Sequence, residues 1–496
     1  MTETSIHLRK IFIRNHTDWK FWIGVALLFK VSLFLLQISQ GRPNEIAGFI
    51  GNTSGDTESY LKPIEGLLST GNYTPDYRMP GYGTIYLLLR LVCPVAIACN
   101  AVIILQVLIA SISVYLLALT ARNCFNSERL FYLSFYSFAI SSYANLFDSY
   151  LLSDSFCTST TIIYVFFFSL YLNYRDKKFL LYGGASLTWV IFLRPMYAPL
   201  LIISLIILGY SELAIQSRLK TIARLLIIFL IPFFLVESAW ITRNYLVHRK
   251  VIILTKTLYS EQFQASYLME LMNFVKAWGG DRTWWNPNSE MRWFGVAQDG
   301  LRKPENVSIP DYIYTSRFNI DSLKIIKSSI EIINSDTTKE STKDALTFLI
   351  KRRLTAYTES IKLEKPFLFY VKAPILLTKR FFVHSGTYNL FNKVFSELNP
   401  LELLLKIFYS AYYLISLIFG YLGLMVVGYK YPRNPKGHLI IALLLYSTIL
   451  FPLILKQIEF RYFLPAYPFL LLLACCFTLF LIDHLKKLFK RTTTQA

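Results

Sequence analysis

Charge is scarce in this chain. Of its 496 residues only 17% are Asp, Glu, Lys or Arg, against about a quarter in an ordinary soluble domain. A soluble globular protein is excluded on that ground. Cysteine is scarce too: Cys93, Cys99, Cys124, Cys157, Cys475 and Cys476 make up the whole set. Each lies in or beside an apolar run, so the chain has no disulfide framework and no cysteine spacing suited to zinc. The adjacent Cys475 and Cys476 read as space-fillers in the last run. Internal repeats and low-complexity linkers are also missing, and no cleavable leader is expected. The first apolar run is long enough to stay as an anchor, and no small-residue cleavage motif follows it. Without paired repeats or helices broken at the midplane, a transporter built from repeated halves loses support.

What the chain has is apolar surface. Apolar and aromatic residues make up 54%, and the mean hydropathy is +0.42. There are 39 Phe and 33 Tyr, many near the ends of apolar runs, where amphipathic rings favour the membrane interface. A helix needs roughly 20 apolar residues to cross a hydrocarbon core. Candidate spans fall near 20–39, 97–120, 130–147, 150–173, 179–197, 198–215, 224–242, 402–428, 439–455 and 463–484, about ten in all. The fold class expected is an all-α polytopic membrane protein. Lipid offers the backbone no hydrogen-bond partners, so these runs must be helical.

Basic residues mark one side. Arg9, Lys10, Arg14 and Lys20, then Arg122 and Arg129, Arg175, Lys177 and Lys178, Arg218, Lys220 and Arg224, Lys430, Arg433 and Lys436, and Lys486, Lys487, Lys490 and Arg491 fall on the same side, in the termini and alternate connections. The positive-inside rule then places both termini in the cytoplasm of a plasma (inner) membrane protein. The expected organisation is a membrane module over 1–242 containing a first outer loop at 40–96, an outer region over 243–400, and C-terminal membrane helices over 401–496. The outer region is basic, with 23 Lys and Arg against 15 Asp and Glu, but long loops cross membranes largely regardless of charge. Within it, 276–295 reads as a loop carrying four Trp, and 321–361 as helix. The stretch 365–383 reads as a helix lying on the membrane surface.

The polar residues near membrane ends are the informative ones, because charge at that depth is costly. They are Asp56 and Glu58 in the first outer loop, Arg78 in "YRMPGY", and Asp148 and Asp154 in "NLFDSYLLSDSF". Further along come Arg194 in "FLRPMYAP", Arg243 in "WITRNYLVHRK", and Lys456, Glu459 and Arg461 in "KQIEFRYFLPAYP". Singly, each basic residue reads as an interfacial anchor. Together they put acids and arginines on one side. Arginine grips phosphate through parallel hydrogen bonds, and a carboxylate can take a proton from a hydroxyl.

In order and spacing, "GDTESYLKPIEGLLSTGNYTPDYRMPGY", "YLLSDSF", "FLRPMYAP", "WITRNYLV" and "EFRYFLPAYP" resemble the GT-C glycosyltransferases. The likeness is to the bacterial relatives of protein O-mannosyltransferases and lipid A aminoarabinose transferases. That resemblance implies an enzyme taking a sugar from a polyprenyl-phosphate donor to a hydroxyl of a glycan, lipid or protein acceptor, on the outer face, with inversion. Membrane lipid is the other partner and nucleic acid is not one. By the same resemblance Asp56 is the catalytic carboxylate and Asp154 the second acid. It also implies donor-phosphate contacts at Arg78, Arg243 and Arg461; by position, Lys456 and Arg194 are further candidates for that contact, and Glu58, Tyr60, Tyr82, Asp148, Glu459 and Tyr462 are candidates for the substrate cavity. Many members carry two adjacent acids in the first loop, whereas here Thr57 separates Asp56 from Glu58. No cofactor is certain: use of a divalent metal stays open, with Asp56 and Asp154 as its ligands if one is present. The 243–400 region is the least alike, and in the superfamily it recognises the acceptor. A polysaccharide polymerase or ligase, or a flippase for lipid-linked sugars, are the alternatives.

Overall fold

In the computed structural model, residues 16–39, 46–75, 78–255, 265–280, 310–335, 337–387, 390, 391, 393, 395–456 and 459–493 are described. Most of the four-Trp loop lies outside them. Among these residues the structure is helical, with no strand beyond one parallel bridge, between Asn52 and Tyr150. Among the described residues eight helical segments are long and apolar enough to cross a membrane: Trp19–Ile38, Val95–Phe125, Asp154–Tyr174, Pro195–Ala214, Leu219–His248, Pro400–Lys430, Pro435–Ile454 and Tyr467–Leu488. The chain is a multi-pass, all-α membrane protein.

The helices used below are α1 (Trp19–Ile38), α2 (Thr57–Thr70), α3 (Pro80–Arg90), α4 (Val95–Phe125), α5 (Glu128–Ile140), α6 (Asp154–Tyr174), α7 (Lys177–Leu193), α8 (Pro199–Ala214) and α9 (Leu219–His248). They continue with α10 (Leu268–Ala277), α11 (Ile320–Ile333), α12 (Glu340–Glu364), α13 (Ala373–Phe382), α14 (Pro400–Lys430), α15 (Pro435–Ile449) and α16 (Tyr467–Thr493).

Two of the ten expected spans are shorter than the sequence suggests. The run 130–147 is helical only to Ile140; a single helical turn, Ser142–Asn145, and a 3-10 turn, Leu146–Ser149, follow. Irregular backbone is tolerated at membrane depth only where protein buries it, and residues 141–153 are buried throughout. Polar side chains satisfy it locally. Gln106 donates to the carbonyls of Asp148 (3.1 Å) and Tyr150 (2.9 Å), and Asn145 donates to the carbonyl of Ala139. The second short element, α7, has 17 residues and stops at Arg194, because Pro195 disfavours helix in the residue before it.

The chain divides into two compact units. The first comprises 1–256, 385–447 and 461–496, and the second 257–384 and 448–460. In the first, α14 packs on α16, α6 on α7, and α4 on α1, α5 and α6. Gly423 allows the α14–α16 approach, since a Cβ there would strike the Leu473 carbonyl. The short helices α2 and α3 lie within the first loop; α3, with 11 residues, is too short to cross.

The second unit has its own core, where Leu271, Phe274, Leu323, Ile326, Leu354 and Tyr357 meet between α10, α11 and α12. The stretch expected as one helix over 321–361 is two. Asn334 ends α11, and the Thr338 hydroxyl takes the Ile332 carbonyl in the break. Over 365–383, a π-helical segment, Leu368–Lys372, leads into α13. Leu368, Ala373, Leu377 and Phe381 are buried, while Phe367, Tyr370 and Ile375 are exposed.

Candidate active site

The segment 51–57 is sewn to 149–152. Asn52 N–H donates to the Ser149 carbonyl (2.7 Å) and Leu151 N–H to the Asn52 carbonyl (3.1 Å). The Thr57 hydroxyl donates to the Leu151 carbonyl (3.2 Å). These bonds carry Asp56, the residue before α2, to the segment that leads into Asp154, the first residue of α6. Asp56 occupies the N-cap position of α2, yet its carboxylate makes no capping bond. Both of its oxygens go elsewhere.

Arg78 precedes α3, whose first residue is Pro80. Its Nη2 lies 2.8 Å from Asp56 Oδ1. Its Nε donates to Ser59 Oγ (2.9 Å) and its Nη1 to the Tyr60 hydroxyl (3.0 Å), and its guanidinium stands 4.4 Å from the centre of the Tyr60 ring. Arg461 sits in the 3-10 turn Phe460–Phe463. Its Nη2 lies 2.9 Å from Asp56 Oδ2, and its Nη1 lies 3.9 Å from Asp154 Oδ2. Arg194, at the end of α7, donates from Nη2 to Asp154 Oδ1 at 2.6 Å. Its guanidinium is 5.6 Å from the Tyr462 ring centre. The Tyr60 hydroxyl and Ser153 Oγ, 2.9 Å apart, link the Arg78 end to the Arg194 end.

Three guanidiniums and two carboxylates thus alternate, leaving one net positive charge. Exposure grades along the row: the Asp154 side chain is 1% exposed and Asp56 34%. Burial pushes the Asp56 carboxyl up, but Arg78, Arg461 and the more distant Arg194 outweigh it and hold it below the usual carboxylate range. Asp56 is therefore ionised at neutral pH. In the interior end of the row, Asp154 Oδ2 and Arg194 Nη1 are buried without a hydrogen-bond partner.

Other residues named from the sequence fall differently. Tyr82 is buried with its ring 4.9 Å from that of Tyr60, and its hydroxyl donates to Gln106 (3.2 Å). Glu58 pairs with Lys62 (3.1 Å) on the exposed side of α2 and does not join the arginines. Asp148 stands apart from the arginine row. It is buried, 2.8 Å from the Lys30 ammonium of α1, and accepts from Ser155 (2.5 Å). Arg243 also stands apart, bonded to the Tyr73 carbonyl and to Asn244 and stacked on Tyr73 and Trp240. Lys456 and Glu459 belong to the second unit, where the Lys456 ammonium lies 3.8 Å from the Phe369 ring centre. Sequence reasoning passed over Ser59, Ser153, Gln106 and Lys30. Ser59 and Ser153 lie within the quoted motifs; nothing local singles out Gln106 or Lys30.

A divalent ion fits this arrangement poorly. Both Asp56 oxygens and Asp154 Oδ1 already hold guanidiniums, and Arg461 stands between the two acids. Among the described residues no group of three or more His, Cys, Asp or Glu could hold a metal.

No family model and no curated protein matches the chain. Solved structures do. An archaeal oligosaccharyltransferase, AglB from Archaeoglobus fulgidus, in complex with an inhibitory peptide and a dolichol-phosphate, is 11% identical. The match covers 96% of this chain and 52% of that one, with a TM-score of 0.47. An Archaeoglobus fulgidus oligosaccharyltransferase in complex with zinc and sulfate is 11% identical over 91% of this chain and 48% of that one, at a TM-score of 0.39. ArnT from Cupriavidus metallidurans in the apo state is 11% identical over 92% and 76%, at 0.33. The chain therefore spans about half the length of the two oligosaccharyltransferases.

Proposed function

We propose that the protein is a membrane glycosyltransferase of the GT-C kind that moves a sugar from a polyprenyl-phosphate donor to an acceptor hydroxyl on the outer face of the membrane. The observation that carries this reading is the grip of Arg78 and Arg461, from two distant segments, on one partly exposed acid, Asp56. A pair of guanidiniums aimed at one anion is the arrangement phosphate recognition calls for. The order of the sequence motifs supports the same reading.

In this mechanism the donor is a phosphodiester, and its polyprenyl phosphate is a good leaving group that needs no strong acid. Arg78 and Arg461 stabilise the charge that gathers on the phosphate as the sugar–oxygen bond breaks, an effect that is large where water is excluded. Asp56 takes the proton of the acceptor hydroxyl, whose oxygen forms the new bond at the anomeric carbon from the opposite face. The product is inverted, as in the base half of an inverting glycosidase. Guanidiniums supply the positive charge, and no step requires a divalent ion.

The test is transfer of label from polyprenyl-phosphate sugars by the purified protein to membrane extract, for wild type and Asp56→Asn. The variant keeps the shape and removes the base. Turnover should fall by roughly 10²–10⁴-fold, the usual contribution of a general base, with the protein still inserted and monodisperse. Wild-type turnover in Asp56→Asn would refute the assignment.

A further inference from the structure

We propose that in the resting protein Asp56 occupies the place of the donor's phosphate, and that the phosphate displaces it from Arg78 and Arg461, freeing it to act as the base. This rests on the glycosyl-transfer reading and deepens it. Each Asp56 oxygen takes one guanidinium, at 2.8 and 2.9 Å. A carboxylate bridging two arginines presents its two oxygens much as a phosphate presents two of its own. In this arrangement each Asp56 oxygen faces a guanidinium, which lowers its basicity toward an acceptor proton. Two neighbouring guanidiniums make a carboxylate a weaker base, and release removes them.

The geometry assigns which partner moves. Asp56 makes no capping bond to α2, so its departure leaves the helix end as it was. Arg78 stays, held by Ser59, the Tyr60 hydroxyl and the Tyr60 ring. The other pair in the row does not exchange: Arg194 and Asp154 are 8% and 1% exposed, and separating buried partners is costly. Asp56, one-third exposed, is the open end. The exchange also conserves charge, one carboxylate for one singly charged phosphodiester. Once released, Asp56 is no longer held below the ordinary carboxylate range, and its basicity rises as the donor arrives.

The experiment measures binding of a polyprenyl monophosphate, without sugar, to the full-length protein in nanodiscs. Asp56→Asn and Asp56→Ser remove the competing charge, and the second guards against a folding defect in the first. Two partly exposed ion pairs of ordinary strength correspond to a gain of roughly two- to thirtyfold in affinity, and both variants should bind tighter by that amount. Affinity equal to or below wild type in both overturns the exchange. If Asp56→Asn also loses transfer, the base assignment stands while the exchange falls. A variant that transfers sugar at the wild-type rate brings down Asp56 as the base, and a wild-type protein that transfers none brings down the function itself, whatever the affinities.

Discussion

Arg78 is held at three points before any substrate arrives, by Ser59, Tyr60 and Asp56. Those bonds leave from three different nitrogens of one planar group, which an ammonium cannot imitate. Arg78→Lys should therefore weaken polyprenyl-phosphate binding and turnover although charge is kept, and Arg78→Ala should weaken both more. An arginine that only anchors a helix end at the interface would accept lysine without loss, so unchanged affinity in Arg78→Lys would return Arg78 to that role. Asp56, Arg78, Asp154, Arg194 and Arg461 were legible in the sequence because each is a charge beside an apolar run. Lys30 was not. It lies inside the first apolar run and its partner Asp148 is 118 residues away; a long-range pair leaves no local trace. For the same reason the sequence does not separate Asp148 from Asp154: the two charges look alike until the ammonium opposite Asp148 is seen.

At the scale of elements, the site depends on how closely α3 sits on the end of α7. Gly81 faces the backbone of Phe192 and Leu193, and a Cβ there would strike the Phe192 carbonyl. Two residues further on in α7's chain direction is Arg194, and three residues before Gly81 is Arg78, so one contact spaces two arginines. α2 and α3 are braced independently: Arg90 and the Tyr86 hydroxyl both reach Glu65, at 2.9 and 2.6 Å. Gly81→Ala should cost about 1–3 kcal/mol of stability, as overpacking against fixed neighbours does, and should weaken phosphate binding as Arg78 shifts. Thermal unfolding in detergent and the same binding assay check it; an unshifted melting temperature would mean that α3 can slide away. Hydropathy alone found the long helices, because a run of about 20 apolar residues has few other fates. It overextended the element after Ser127, where the turn at 142–149 is buried by neighbours and by Gln106, and it merged α11 with α12 across a short polar break. In both places tertiary contacts, invisible in the local pattern, decide the ending.

For the whole molecule, the membrane class follows from composition, and the division into two units does not. The second unit gathers 448–460 with 257–384, a pairing no sequence window contains. The orientation proposed here puts Asp56 outside and both ends of the chain inside. A cysteine introduced at exposed Gly71, next to the first-loop helix α2, should react with a membrane-impermeant maleimide in intact cells. A cysteine at the C-terminus should react only after permeabilisation; the reverse pattern would invert the topology. The central claim is that the guanidiniums of Arg78 and Arg461 receive the lipid phosphate. The most direct measurement is an electron cryomicroscopy structure of the full-length protein with a polyprenyl monophosphate bound. The account predicts the phosphate within hydrogen-bonding distance of both guanidiniums, with the Asp56 carboxylate moved off them. A bound phosphate lying elsewhere, with the Asp56–Arg78–Arg461 contacts unchanged, would contradict it.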